Sequence, residues 1–258
     1  MSPPARAHGA GSLAAHFRES GRLDDAQKAF KDAIRHHGGN PRYHVGLAHI
    51  LYLQGDLISA EASLKRAVEA GPDRLDTLIN LGLLFLDMRR FDEASATFLD
   101  VLSLNGASTP AIHGLGLVRY RGGRYPDAIV QFKRASELAP NNATYLHDLG
   151  TAYLASGDLA QAELTLRRVV QLAPDRVDAR ANLGNVYFQR GDYDAAAAAF
   201  RSALLTAPGR ANIHLNLGLV YRELKDNSRA REHLLRFLEL APSDTEAGRV
   251  TSLLGELN

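Results

Sequence analysis

The sequence repeats itself every 34 residues. A chain built this way stacks one small unit many times over instead of closing a single core. The period is read from an Ala, a large apolar residue four places later, and a Pro or Gly that ends each copy. Ala128, Phe132, Ala135 and Pro140 form one set. Ala162, Leu166, Val169 and Pro174 form the next, followed by Ala196, Phe200, Ala203 and Pro208. Ala230, Leu234, Phe237 and Pro242 close the series. Upstream, Ala60, Leu64, Ala67 and Pro72 keep the frame, as do Ala26, Phe30, Ala33 with Gly38 and Ala94, Phe98, Val101 with Gly106. Seven contiguous units result: 7–40, 41–74, 75–108, 109–142, 143–176, 177–210 and 211–244. Residues 1–6 are expected to form a short disordered N-terminus.

The first half of each unit carries a second signature. A small residue recurs in the eighth place: Ala14, Ala48, Gly82, Gly116, Gly150, Gly184 and Gly218, each preceded by Leu. An aromatic or large apolar residue follows three places later, as at Phe17, Leu51, Phe85, Tyr153, Tyr187 and Tyr221. Spacings of three and four are helical. The small residue lets two helices approach, and the large ones fill the space between them. Gly21, Gly55, Gly123, Gly157 and Gly191 end the first helix, while Arg89 and Lys225 stand in that place elsewhere and suggest local strain or a different turn. Asp56, Asp158, Asp192 and Asp226 are placed to cap the second helix, and Pro126 suits a first helical turn. Residues 245–258 read as one more amphipathic helix, whose Val250, Leu253, Leu254 and Leu257 would cover the last unit.

This 34-residue frame, with these places filled, resembles the tetratricopeptide repeat over residues 7–244. The resemblance implies an all-α fold: antiparallel helix pairs in a right-handed superhelical solenoid, with the first helix of each pair on the concave face. The family's frequent Trp in the fourth place is missing throughout; His44, Leu78, Ile112, Leu146, Arg180 and His214 stand there. The repeats occupy so much of the 258 residues that no room is expected for an appended catalytic domain. A non-enzymatic role follows, with no cofactor.

Composition narrows the partners. With 30 Lys+Arg against 29 Asp+Glu the formal net charge is +1, which argues against a bulk electrostatic grip on nucleic acid or an acidic membrane. The absence of Cys excludes a disulfide framework, a thiolate metal site and a cysteine nucleophile. The longest charge-free stretch, Val101 to Val118, is broken by Asn105, Gly106, Pro110 and Gly114, so membrane insertion is not expected. The N-terminus has Pro, Gly and Arg where a signal peptide needs an apolar run, which points to the cytoplasm.

The resemblance also implies which first-helix places line a ligand groove. The ninth and twelfth places hold an apolar stripe of Leu83, Leu86, Leu117, Tyr120, Leu154, Phe188 and Leu219, with Tyr52 at one end. Two readings are open: extra packing between neighbouring first helices, or a surface on which a partner segment lies. Asn80, Asn182 and Asn216 share the sixth place, and Asn185 stands nearby. A row of Asn resembles the asparagine ladder in the repeats of O-GlcNAc transferase, which grips peptide backbones; Gly46, Gly114 and Asp148 interrupt it here. A solvated polar position is the alternative. Arg42, His49, Ile79, His113, His147, Thr151 and Arg222 complete the candidate groove. His113 and His147 occupy one place in adjacent units, but no third ligand falls beside them, so a metal site is not expected. The cations of the chaperone-binding clamp known in this family are absent. Arg119 takes an apolar place and is expected to reach out to an acid, with Asp87 and Asp127 as candidates.

The expected function is therefore a protein-interaction scaffold that holds a partner peptide or helix in its groove. The alternatives are a self-assembling scaffold, or a recognition subunit or assembly factor of a larger machine such as a secretion, pilus or glycosyltransferase system.

Overall fold

The computed structural model describes residues 22–37, 39–71 and 74–257. Among these residues there are fourteen helices and no strand. They are α1 Leu23–His36, α2 Pro41–Leu53, α3 Leu57–Ala70, α4 Arg74–Asp87, α5 Phe91–Leu104, α6 Thr109–Arg121 and α7 Tyr125–Leu138. The chain continues with α8 Ala143–Ser156, α9 Leu159–Leu172, α10 Val177–Arg190, α11 Tyr193–Thr206, α12 Ala211–Glu223, α13 Asn227–Leu240 and α14 Ala247–Glu256. The first helix expected for residues 7–21, with Leu13, Ala14, Phe17 and Gly21, lies outside the described residues.

The helices fall into two compact units, Met1–Gly123 and Arg124–Asn258. Within the first unit, each of α1 to α6 packs on the next, and α4 also meets α6. Within the second, α7 to α14 are chained in the same way, α8 also meets α10, and α10 meets α12. Each unit is therefore a stack of helix pairs, with first helices beside first helices.

The eighth-place glycines are explained by the large second-helix side chains, Phe or Leu, that lie against them. A Cβ on Gly82 would stand 2.7 Å from the Phe98 ring, and one on Gly184 would stand 2.6 Å from Phe200. Both rings are fully buried. Phe98 also lies against Gly114, where a Cβ would come within 2.4 Å, and Phe30 lies equally close to Gly46. The breaks in the asparagine row at Gly46 and Gly114 thus have a packing cause: an Asn there would start inside a core ring.

Helix ends follow local chemistry. Gly55, Gly123, Gly157 and Gly191 have φ between 74° and 84°. Arg89 and Lys225 take the same left-handed region, at φ 59° and 61°. The hydrogen bonds are also the same. Lys225 N–H donates to the Arg222 carbonyl and Asp226 N–H to Tyr221, matching Gly157 to Leu154 and Asp158 to Tyr153. Of the two expectations for Arg89 and Lys225, the different turn is set aside; the turn is kept and the strain sits in its backbone. The side chains of Asp56, Asp158, Asp192 and Asp226 accept from the N–H three residues ahead. Asn40 and Asn142 cap α2 and α8 in a similar manner.

At the C-terminal end, Val250 and Leu254 of α14 join Leu215, Leu234 and Phe237 in one apolar cluster. The amphipathic face lies where the sequence places it.

Candidate functional site

The first unit holds a cleft on its first helices. Pro41 opens α2, and the Asn40 side chain accepts the Arg42 N–H at 3.0 Å, which sets where the helix begins. From that start, Val45, Gly46, His49 and Tyr52 fall on one face of α2. Asn80, Leu83, Leu84 and Asp87 face them from α4, and Ala60 and Leu64 of α3 close the floor of a cleft of about 410 Å³. A second cleft of about 340 Å³ runs on from it past Val45 and Asn80 to Arg42, Asp76 and Thr77. Together they form a trough along the seam between α2 and α4.

The trough has an apolar middle and polar ends. Leu83 is 37% exposed and Tyr52 43%, so both keep apolar surface open to solvent. The Tyr52 hydroxyl donates to Asp87 Oδ2 at 2.8 Å. Arg121 Nη1 donates to Asp87 Oδ1 at 2.9 Å and to the Leu86 carbonyl at 3.2 Å. The hydrogen bond from Tyr52 to Asp87, and then the charge of Asp87, hold the Tyr52 phenol above its ordinary pKa. The phenol is therefore a fixed, neutral edge of the cleft. Asp87 belongs to this end, although sequence reasoning treated it only as a partner for Arg119. The partner is instead Arg121, one helical step away on the exposed side. Arg119 is itself half-buried.

The structure divides the expected groove residues. Arg42, His49, Tyr52, Asn80 and Leu83 come together in the trough. Ile79 and Leu117 pack against the core with part of their surface left over. Leu86 does not belong among the ligand-facing residues: it is 1% exposed, because its direction from α4 points into the core. His113 and Tyr120 are half-buried on α6.

In the second unit the polar members bond to one another. Asn182 Nδ2 donates to Thr151 Oγ1 at 3.0 Å and approaches His147 Nε2 at 3.3 Å. With Nε2 accepting, the Nδ1–H of His147 faces Asp148 Oδ1 at 3.3 Å. Asn216 Nδ2 donates to Asn185 Oδ1 at 3.0 Å. These amide donors are spent between neighbouring first helices. Asn80 makes no such bond among the described residues. Leu154, Phe188 and Leu219 are half-buried, and Phe188 packs on Tyr193 with ring centroids 5.6 Å apart. Arg222 pairs with Glu223. Among the described residues, no group of three or more His, Asp or Glu could hold a metal ion, and no helix is long and apolar enough to cross a membrane.

The comparisons agree with this architecture. Family models described as "Tetratricopeptide repeat" match residues 12–74, 147–211 and 181–245, residues 108–175, and residues 75–108. A tetratricopeptide repeat protein from Parabacteroides merdae ATCC 43184 is similar in structure, with 17% identity, TM-score 0.74, and coverage of 98% of this chain and 99% of that one. PilW, a type IV pilus biogenesis factor, is similar at 19% identity and TM-score 0.75 over 82% of this chain and 98% of its own. YrrB, a repeat protein with an unusual peptide-binding site, is similar at 23% identity and TM-score 0.58 over 73% of this chain and 97% of its own. No curated protein matches. A 34-residue period, stacked helix pairs and family models that tile the chain lead to one conclusion: this protein belongs to the tetratricopeptide-repeat family.

Proposed function

We propose that the protein is a non-catalytic adaptor that docks an extended or helical segment of a partner protein in the trough between α2 and α4. The observation that carries this reading is the pairing of exposed apolar surface at Leu83 and Tyr52 with the uncommitted amide of Asn80 inside one preformed cleft. The apolar wall would cover a partner side chain, and the amide would pair a backbone group. A preformed cleft spares part of the ordering cost of binding. Asp76, which has no ion pair among the described residues, adds a negative end. YrrB offers a precedent of fold for a peptide-binding site in such repeats. Ile79, Leu117, Tyr120 and His113 are proposed as flanking surface in the first unit, and Leu154, Phe188 and Leu219 as partner-facing surface of the second unit by itself. A cytoplasmic setting is part of the same proposal, and fractionation of the source cells checks it.

The test is affinity capture from lysate of the source organism with the wild type, Leu83→Ser and Asn80→Ala, followed by titration of the captured partner's segment. Leu83→Ser is expected to weaken binding about tenfold, roughly 1.4 kcal/mol. Equal capture by the wild type and both variants would move the site elsewhere. Turnover of a substrate by the pure protein would end the non-catalytic reading.

A further inference from the structure

The last two repeats differ from the others on their second-helix side. His233 stands in the twenty-third place, where the other units have Ala29, Ser63, Thr97, Gln131, Thr165 and Ala199. Leu205 stands in the twenty-ninth, where the others have Arg35, Glu69, Ser103, Glu137, Gln171 and Glu239. Ala197 takes the place from which Glu61 and Glu163 reach Arg90 and Arg190 of the following repeats. The repeat frame itself requires none of these three residues, so the chain supplies its own internal control.

Leu205 and His233 line a cavity of about 510 Å³ between α11 and α13, with His214 and Tyr221 of α12 beneath. The corresponding cleft between α1 and α3, with Ser63 in the place of His233, measures about 250 Å³. The larger cavity has rigid aromatic walls. His214 Nε2–H donates to the Pro208 carbonyl at 3.0 Å, leaving its Nδ1 to accept from His233 Nδ1–H, also at 3.0 Å. The His233 ring stacks on Tyr221 with centroids 5.6 Å apart and 7° between planes. The Arg229 guanidinium covers the same Tyr221 ring at 5.2 Å and meets Asp226 at 3.2 Å. Arg201 has no ion pair among the described residues; Glu232 and Glu239 line the adjoining cleft, which shares Leu204, His214 and His233 with this cavity. At its rim, Leu205 is 87% exposed. The site thus combines one unpaired cation, Arg201, a second held by Asp226, and an aliphatic lip open to solvent.

We propose that this cavity is a second docking site, specific for a partner segment that carries an acidic side chain beside a large apolar one. The carboxylate meets Arg201, which has no ion pair of its own among the described residues. The apolar side chain lies on Leu204 and Leu205 and removes their surface from water. The site is separate from the trough in the first unit and does not depend on it.

The test is selection of phage-displayed random twelve-residue peptides, fused through their C-termini, against the whole chain. Side chains are then the peptides' only carboxylates. Enriched sequences are expected to place Asp or Glu within two residues of Leu, Ile or Phe. Synthetic copies, read by fluorescence anisotropy, should bind Arg201→Glu at least tenfold more weakly, Leu205→Ser severalfold more weakly, and Leu83→Ser as they bind the wild type. All three positions are exposed, and circular dichroism melts confirm that the variants are folded. Enrichment of peptides without acids, or equal binding by Arg201→Glu, would overturn the assignment. So would sedimentation showing that Leu205→Ser dissociates a dimer, which gives the face to a second copy of the chain.

Discussion

Lys225 shows how a single residue carries a cost the repeat usually avoids. Its φ of 61° lies where four glycines sit in the corresponding turns of other repeats. A side chain in that region costs roughly 1–2 kcal/mol, partly offset by the roughly 0.4–1 kcal/mol that a glycine loses through unfolded-state freedom. Lys225→Gly should therefore raise the unfolding free energy by roughly 0.5–1 kcal/mol. Urea denaturation with an unchanged slope would show it; a lower midpoint would refute the strain. His233 has the opposite character. Burial, aided by His214 and Arg201, holds its imidazole below the usual value of 6.5, against the pull of Glu232. The unfolded chain then binds this proton more readily than the folded one, so folding stability rises with pH through that range. Stability should fall as pH drops through and below 6.5, and His233→Thr, which copies Thr97 and Thr165 of the same place, should flatten the fall. Thermal melts at a series of pH values check the slope.

At the scale of the helix pair, the eighth-place glycine sets how closely the first and second helices approach. Gly184 and Phe200 make the clearest case, since a Cβ would meet the ring at 2.6 Å and Phe200 has no exposed surface into which to move. Gly184→Ala should cost about 1–3 kcal/mol, as overpacking does in a filled core. A melting temperature equal to the wild type would mean that the pair opens without penalty. The smallness of this residue was readable from the sequence, because it recurs in every unit. The ring it accommodates was readable only as a conserved spacing between two helices of the same repeat.

At the scale of the molecule, a stack of repeats is only as sound as its ends. Helix α14 covers Leu215, Leu234 and Phe237 with Val250 and Leu254. A chain stopped after Asp244 should expose that cluster, melt at lower temperature and scatter light at concentrations where the whole chain does not. Val250→Asp should do the same in a full-length chain, because it places a charge at a position with 0% exposure. If both variants match the wild type in melting and scattering, α14 contributes nothing to the last repeat.

The sequence by itself determined the period, the helix pairs, the N-capping aspartates and the covering helix at the end. Each of these depends on residues a few places apart, which one repeat contains in full. Tertiary structure alone decided which of the candidate groove positions stay exposed and unbonded. Asn80, Asn182 and Asn216 share a place in the repeat, yet only the latter two spend their donors on neighbours. Those neighbours, Thr151 and Asn185, are each 31 residues away in the preceding unit. Leu83 and Leu86 both fit the apolar stripe, but only Leu83 emerges, because three residues further along α4 the side chain of Leu86 turns into the core. The cavity beside His233 likewise needs α11, α12 and α13 together. A repeat frame specifies what each place holds; whether that group is free for a partner depends on what the adjacent repeat offers it.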